Sequence, residues 1–292
     1  FTEWNNSSAS KDSASLAYYA IFSIPGLLII IIWVLGNFFG EEAIRGQIST
    51  QISGIMGPDV AKSIEGMLAG ALIDKKNIFM KAIGVGALVF GSTTLFFQLQ
   101  HTLNSLWDVE SAPKKALIKF LLDRANSLGM ILILGFLLMI TMVLSSLISL
   151  FNTIITQYFG FETYLLVEVV NFSIGFGLVM LLFALMFKVL PDIQIAWKSV
   201  WRGAFLTTVL FTLGKFLLSL YFSQVKPTSA FGAAGTVILI MMWINYSCML
   251  VFFGAKFTKV YTYKKGYKVT LSKHARWSAA KLYADSLKPV SY

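Results

Sequence analysis

Long runs of apolar residues, separated by shorter polar connections, dominate the pattern of this chain. A helix needs about 20 apolar residues to cross a bilayer. Six runs satisfy that length, so the pattern predicts an all-α, polytopic membrane protein with six transmembrane helices. We expect residues 1–263 to form a single transmembrane domain and residues 264–292 a basic cytoplasmic tail. The predicted helices lie near 16–39, 78–97, 125–151, 164–189, 203–222 and 233–257.

The connection between the first two apolar runs is long and has its own periodicity. Apolar side chains recur there at helical spacing before and after a Gly57, Pro58, Asp59 sequence, which is typical of a helix start. We therefore predict two short amphipathic helices in the first outward loop. They either lie on the membrane surface or cap the bundle. The residues on the two faces are Ile48, Ile52, Ile55 and Met56, then Val60, Ile64, Met67, Leu68 and Ala71.

Composition supports the membrane assignment. Hydrophobic residues make up 57% of the chain and charged residues only 13%, against roughly 25% charged residues in a soluble domain. There are too few polar side chains to cover a globule in water. The composition therefore excludes an ordinary soluble enzyme, a disordered chain and a fibrous protein.

Charge is unevenly distributed between the two sides of the predicted bundle. Lys and Arg number 24 against 14 Asp and Glu, a net charge of +10. Basic residues concentrate in 98–124, in 188–202 and after 256, whereas 152–163 has none. The positive-inside rule then places both termini in the cytoplasm, with the basic segments against anionic lipid headgroups. Because no soluble basic module is present, nucleic acid is not a predicted partner.

Polar side chains in the outward half of three helices form the first candidate site. Charge at membrane depth is costly and usually faces a bundle interior or a wet cavity. We predict an outward-opening polar cavity between the third, fourth and fifth helices, in which Lys215 attracts an anionic group. Glu168 either pairs with Lys215 or lies at the headgroup level, and the hydroxyls alternatively mediate helix packing. The predicted cavity residues are Lys215, Glu168, Asn171, Thr208, Thr212, Ser219, Ser145, Ser149 and Asn152.

A second polar group lies at the inward ends of the first two predicted helices. Its members either line an inner vestibule or pack between helices. They are Tyr18, Tyr19, Ser23, Thr94, Gln98, His101 and Asn104.

Motifs of known chemistry are missing from the sequence. It contains no phosphate-binding loop, dinucleotide fingerprint or hydrolase motif. Cys248 is the single cysteine, and His101 and His274 lack neighbours at ligand spacing, so we predict no metal site and no cofactor. Asp108, Glu110 and Asp123 do not form the carboxylate cluster that a metal-dependent nuclease needs. The residues thus favour a protein that is not an enzyme.

Several short motifs occur in a fixed order along the chain. They are AYYAIFSIP at 17–25, LNSLW at 103–107, LPD at 190–192, WRGA at 201–204, FGAAG at 231–235, WINY at 243–246 and GAK at 254–256. In order and spacing they resemble the YihY/virulence factor BrkB family of bacterial inner-membrane proteins, over about 14–261. The resemblance implies six membrane helices with both termini inside, which the charge pattern predicts independently. The family's older label, ribonuclease BN, is generally regarded as mistaken, and the missing nuclease site agrees.

Three hypotheses for function follow from these patterns. The first is a transporter or lipid-handling protein of the bacterial inner membrane that uses the predicted cavity. The second is a structural or assembly factor with the outward loop and basic tail as docking surfaces. The third is a membrane-embedded enzyme that acts on lipid, with Glu168 or His101 as its base. Each is compatible with a homo-oligomer.

Overall fold

A computed structural model describes residues 4, 8–70, 78–112, 117, 120–122, 124–125, 127–137, 140, 161–225 and 227–286 of the chain, and within its helices some side chains lie outside that description. The described part is almost entirely helical. Its helices are α1 (Ala9–Phe39), α2 (Glu41–Met56), α3 (Pro58–Gly70), α4 (Ile78–Leu106), α5 (Phe120–Leu137), α6 (Phe161–Val189), α7 (Trp197–Val225), α8 (Pro227–Lys264) and α9 (Ala279–Ser286). Its strands are β1 (Val109–Ser111), β2 (Ile193–Gln194), β3 (Thr270–Leu271) and β4 (Ala275–Trp277).

Membrane-spanning length and apolarity confirm the predicted fold class. In the described ranges, five helices are long and apolar enough to cross a bilayer, and they are α1, α5, α6, α7 and α8. The second predicted span forms α4, which is not one of these five but has 29 residues, a length of about 43 Å. The protein is therefore an all-α, multi-pass membrane protein. The crossing by α4 stays a prediction.

The helices extend beyond the apolar runs that predicted them. α1 begins at Ala9 and α8 continues to Lys264, both well outside the predicted bounds. The extensions are polar and suit helix ends, because Asp12 lies in the first turn of α1 and Lys264 in the last turn of α8. Hydropathy thus locates the membrane-embedded interior of a helix and not its ends.

The packing is organised around α1, which lies against both α4 and α8. Gly135 of α5 faces Ile31 and Leu35 of α1. On the other side, α7 packs on α8 and α6 packs on α7. Buried Leu, Ile and Phe side chains form a continuous core along these contacts.

The contact between α7 and α8 is unusually close. A Cβ atom placed on Gly203 would lie 1.7 Å from Thr258 Oγ1, and one on Gly254 would lie 1.8 Å from Thr207 Oγ1. The two hydroxyls donate to carbonyls of their own helices, Thr207 to Gly203 O at 2.8 Å and Thr258 to Gly254 O at 2.7 Å. Each threonine therefore lies over the glycine of the facing helix. We call these four residues the glycine seam.

The bundle has two structurally different ends. At the hairpin end, α2 and α3 follow α1 and pack on each other and on α8, which confirms the two predicted amphipathic helices. At the strand end, β1 pairs with β4 and β2 pairs with β3, both antiparallel. Residues 267–278, predicted as part of the basic cytoplasmic tail, are thereby joined to the connections that follow α4 and α6. The domain boundary at residue 263 stays a prediction.

Candidate functional site

Lys215 lies on an exposed, apolar surface of α7. Its side chain is exposed, and so are its neighbours Leu213 (56%), Phe216 (63%) and Leu217 (62%). It is three residues before Leu218, where the candidate span Trp197–Leu218 ends, a separation of about 5 Å along the axis. α7 therefore presents a positive charge among side chains that would face lipid.

The threonines of the same predicted face have a different environment. Thr208 is fully buried and donates to Ala204 O at 2.8 Å. Thr212 is half-buried and donates to Thr208 O at 2.8 Å. Hydroxyls bonded to their own helix are typical of helix packing. Thr208 therefore fits the alternative in which the hydroxyls mediate helix packing. Exposure increases along the predicted polar face from Thr208 to Lys215.

The remaining cavity residues lie at the limit of what the structure describes. Glu168 and Asn171 are in α6 and Ser219 is in α7, but their side chains are outside the described part. Ser145, Ser149 and Asn152 lie outside the described residues altogether. A short turn joins α6 to α7, so the two helices run antiparallel. Asn171 is 18 residues before the end of α6, and Lys215 is 18 residues after the start of α7, so the two positions lie at the same level along the helices.

The predicted vestibule residues fall into separate environments. Tyr18 and Tyr19 are exposed on α1, with ring centroids 5.8 Å apart, whereas Ser23 is buried. On α4, His101 is exposed and Gln98 is half-buried. No common cluster joins these five side chains among the contacts of the described residues. The prediction that they line one vestibule stays a prediction.

Asn104 has a clear structural role at the strand end. Its Nδ2 donates to Asp192 Oδ2 at 2.9 Å, and its Oδ1 accepts the Asp192 backbone N–H at 2.7 Å. Gln100 Nε2 also lies 3.5 Å from Asp192 Oδ1. These bonds join α4 to the turn between α6 and α7. They connect the LNSLW and LPD motifs, which are 88 residues apart.

Lys259 is a buried charge that the sequence pattern did not single out. Its ammonium donates to Asp108 Oδ2 at 2.5 Å and to Leu106 O at 3.1 Å. Asp108 has a positive φ of 56° at the turn after α4, a conformation that Asp tolerates better than most residues. The pair joins α8 to that turn and, like Asn104, stabilises the strand end.

Arg124 is a second charge that the sequence pattern did not identify as a site. The sequence placed it at the end of a basic segment, but it lies within α5 and contacts the side of α4. Its Nη1 donates to Thr93 Oγ1 at 2.6 Å and lies 3.3 Å from both Thr94 Oγ1 and Phe90 O. Thr94, a predicted vestibule residue, is one of these acceptors. The sequence did contain two signals that could have indicated this contact. Arg124 stands at the start of one apolar run, and Thr93 and Thr94 lie inside the preceding one.

Two further features of the described residues concern metal binding and a cavity. Within the described residues, no group of three or more His, Cys, Asp or Glu side chains is arranged to hold a metal ion. At the hairpin end, α2 and α3 line a partly open cavity of about 290 Å³. Its lining is largely apolar, with Ile48, Ile52, Ile64 and Leu68 beside Arg45 and Glu65.

Comparison with known sequences gives a consistent family match. The profile of the family described as "Virulence factor BrkB" matches residues 1–278. A "UPF0761 membrane protein" of Saccharophagus degradans is 23% identical over 277 residues, which cover 94% of this chain and 61% of that protein. Proteins with the same name from Pseudoalteromonas atlantica and Pseudomonas aeruginosa are each 26% identical, over 247 and 249 residues.

The extent of these matches differs between relatives. The aligned part covers 78% of the Pseudoalteromonas atlantica protein. It covers 58% of the Pseudomonas aeruginosa protein and 61% of the Saccharophagus degradans protein, so this chain spans about three-fifths of their length. No solved structure matches the chain.

Proposed function

The chain belongs to the Virulence factor BrkB family of membrane proteins, and from that premise we propose that it is a transporter or lipid-handling protein that binds an anionic group at Lys215. In this proposal it resides in the bacterial inner membrane with both termini in the cytoplasm. The anionic group belongs to a lipid or to another amphiphile with access to the bilayer.

The exposed charge of Lys215 is the observation that carries the proposal. A lysine within a membrane span is costly, by up to roughly 2.5–3.5 kcal/mol at the helix centre on insertion scales and by less near an end, and such residues usually serve a pathway or a ligand. None of the ion pairs between described residues includes Lys215. A phosphate or carboxylate beside the ammonium would offset that cost.

The topology supports binding in the outer leaflet. α7 runs from the strand end to the hairpin end, and Lys215 is near the hairpin end of its candidate span. Basic residues concentrate at the strand end, which the positive-inside rule assigns to the cytoplasm. Lys215 would then meet anionic groups on the outer side, at the level of Asn171.

The proposal is tested with the purified protein in liposomes that contain fluorescent phosphatidylglycerol. We expect Lys215→Gln to abolish lipid movement and to lose anionic species that copurify with the wild type, as measured by mass spectrometry. Lys198→Gln is the matched control, because it removes an equal charge from an exposed position near the start of α7. It should behave like the wild type.

Equal movement and equal lipid profiles in all three proteins would contradict the site at Lys215. That outcome would favour the alternative of a structural or assembly factor. One observation supports this alternative: α9 presents Leu282 and Tyr283 with 55% and 69% exposure at the strand end. Exposed apolar side chains outside the spans are typical of docking surfaces.

A further inference from the structure

We propose that Arg124 and the aromatic rings around it form a binding site for the phosphate group of an anionic phospholipid, in the leaflet at the strand end. The site is separate from the function proposed above, because a lipid can be bound here without being moved. Lys215 takes no part in it. We call the six residues of the site the arginine cage, and they are Phe90, Thr93, Thr94, Phe97, Phe120 and Arg124.

Three phenylalanine rings surround the guanidinium. Its Cζ atom is 4.5 Å from the ring centroid of Phe90, 5.3 Å from that of Phe120 and 5.6 Å from that of Phe97. These distances suit cation–π attraction. The rings themselves are 60%, 44% and 38% exposed, so the cage is open toward the surrounding lipid.

The hydrogen bonds of Arg124 leave its charge without an anionic partner in the described part of the chain. Its three acceptors are neutral oxygens of Thr93, Thr94 and Phe90, and all accept from Nη1. The Nε–H is buried and has no hydrogen-bond partner among the residues that the structure describes. A charged group removed from water is costly unless an opposite charge and further hydrogen bonds satisfy it.

A phosphate would supply the missing opposite charge. Guanidinium presents several N–H groups in a planar fork that matches two oxygens of a phosphate, and charge-assisted bonds of this kind are short and strong. Since Nη1 makes all the described bonds and Nε is buried, Nη2 is the donor assigned to the phosphate.

The position of Arg124 identifies the phosphate as that of a lipid. Arg124 is four residues after Phe120, where the candidate span begins, so it lies about 6 Å along the axis from the span's first residue. A long basic side chain reaches the headgroup level from that depth. Lys114, Lys115 and Lys119 precede it in sequence and favour anionic over zwitterionic headgroups. The exposed rings would contact the acyl chains of the same molecule.

Equilibrium binding of phosphatidylglycerol to the detergent-purified protein, followed by native mass spectrometry, tests the site. We expect Arg124→Gln to weaken binding of the tightest lipid by about tenfold. Lys198→Gln removes an equal charge from an exposed position at the strand end, near the start of α7, and should change binding by less than about twofold. Phosphatidylcholine should bind weakly to all three proteins, and inorganic phosphate should not displace the lipid.

Equal losses in the two variants would reduce the site to general surface charge and would overturn the proposal. Displacement of phosphatidylglycerol by millimolar inorganic phosphate would also overturn it, because a soluble anion would then be the ligand.

A measurement on the wild type decides the question even if Arg124→Gln does not fold. The chain has four arginines, Arg45, Arg124, Arg202 and Arg276, so solid-state NMR of arginine-labelled protein in phosphatidylglycerol bilayers is tractable. We expect the Arg124 guanidinium nitrogens, assigned by their absence in Arg124→Lys, to be dephased by lipid ³¹P. A wild-type Arg124 signal without ³¹P dephasing would contradict direct contact with phosphate.

Discussion

Gly203 and Gly254 allow α7 and α8 to pack so closely that a threonine hydroxyl of each helix lies directly over a glycine of the other. Both belong to motifs, WRGA and GAK, and the two glycines are 51 residues apart in the sequence. In a membrane, lipid tails are as apolar as leucine, so helix association depends on close packing and small residues. The glycine seam provides that packing. The hydroxyls of Thr207 and Thr258 donate to carbonyls of their own helices, so both are hydrogen-bonded within the seam.

Gly203→Ala should destabilise the protein strongly. The new Cβ would lie 1.7 Å from Thr258 Oγ1 and 3.0 Å from Thr258 Cβ, so the helices must separate. Overpacking of this kind costs about 1–3 kcal/mol. We expect a lower midpoint of thermal unfolding in detergent, measured by tryptophan fluorescence at a fixed scan rate.

The matched control for this substitution is Gly177→Ala on α6. Gly177 is exposed, with no atom within 4 Å of its ideal Cβ, so alanine should leave the midpoint unchanged or raise it. Adding Thr258→Ala to Gly203→Ala removes the closest clash and should restore part of the loss. A midpoint for Gly203→Ala equal to that of Gly177→Ala would show that the helices do not meet at this seam.

Lys215 and Arg124 show how far single side chains are predictable from sequence. Lys215 stands inside an apolar run, so its chemical contrast with its neighbours reveals it. Arg124 lies where a basic segment passes into an apolar run, and its contacts come from Thr93 and Phe90 on another helix. Contacts between separate helices have no signature in a single sequence. The aromatic cage therefore required the fold.

The helices and strands also differ in how far they are predictable from the sequence. Apolar runs predicted the helices because membrane burial needs a continuous stretch of about 20 apolar residues. The strands have two or three residues each, which is too short for an alternating pattern to be detected. Their partners are remote, since Val109 pairs with Trp277. Pairing of this kind is a property of the folded bundle.

The pairing of β1 with β4 predicts a specific cross-link. Ser111 and Ala275 face each other in the register, and the neighbouring backbone bond from Ala112 N–H to His274 O marks them as a non-hydrogen-bonded pair. Such pairs have Cα atoms about 4.5 Å apart, within disulfide range. With Cys248 replaced by Ser, the double variant Ser111→Cys and Ala275→Cys should form a disulfide under mild oxidation.

Detection is by the shifted mobility of the oxidised chain and its reversal by a thiol. Val109→Cys paired with Ala275→Cys is the out-of-register control, because these two positions are diagonal neighbours in the ladder, about 7–8 Å apart and beyond easy bridging. Comparable cross-linking in both pairs would indicate that residues 270–278 are mobile relative to β1 and not held in this register.

The whole molecule has one end made of amphipathic helices and another made of paired strands, and these ends differ in charge. Basic residues gather in 98–124, in 188–202 and after 256, all of which lie in or next to the strand end. By contrast, α2 and α3 at the hairpin end contain two basic residues, Arg45 and Lys62. This asymmetry favours an orientation with the strand end in the cytoplasm.

Cysteine labelling in spheroplasts tests that orientation. In a Cys248→Ser background, Glu42→Cys at the exposed start of α2 should react with a membrane-impermeant maleimide added from outside. Lys268→Cys, exposed at the strand end, should react only after the membrane is permeabilised. The two variants serve as controls for each other, because both sites lie on exposed surface outside the candidate spans. Labelling of Lys268→Cys in intact spheroplasts, with protection of Glu42→Cys, would reverse the topology and move Lys215 to the cytoplasmic leaflet and Arg124 to the outer one.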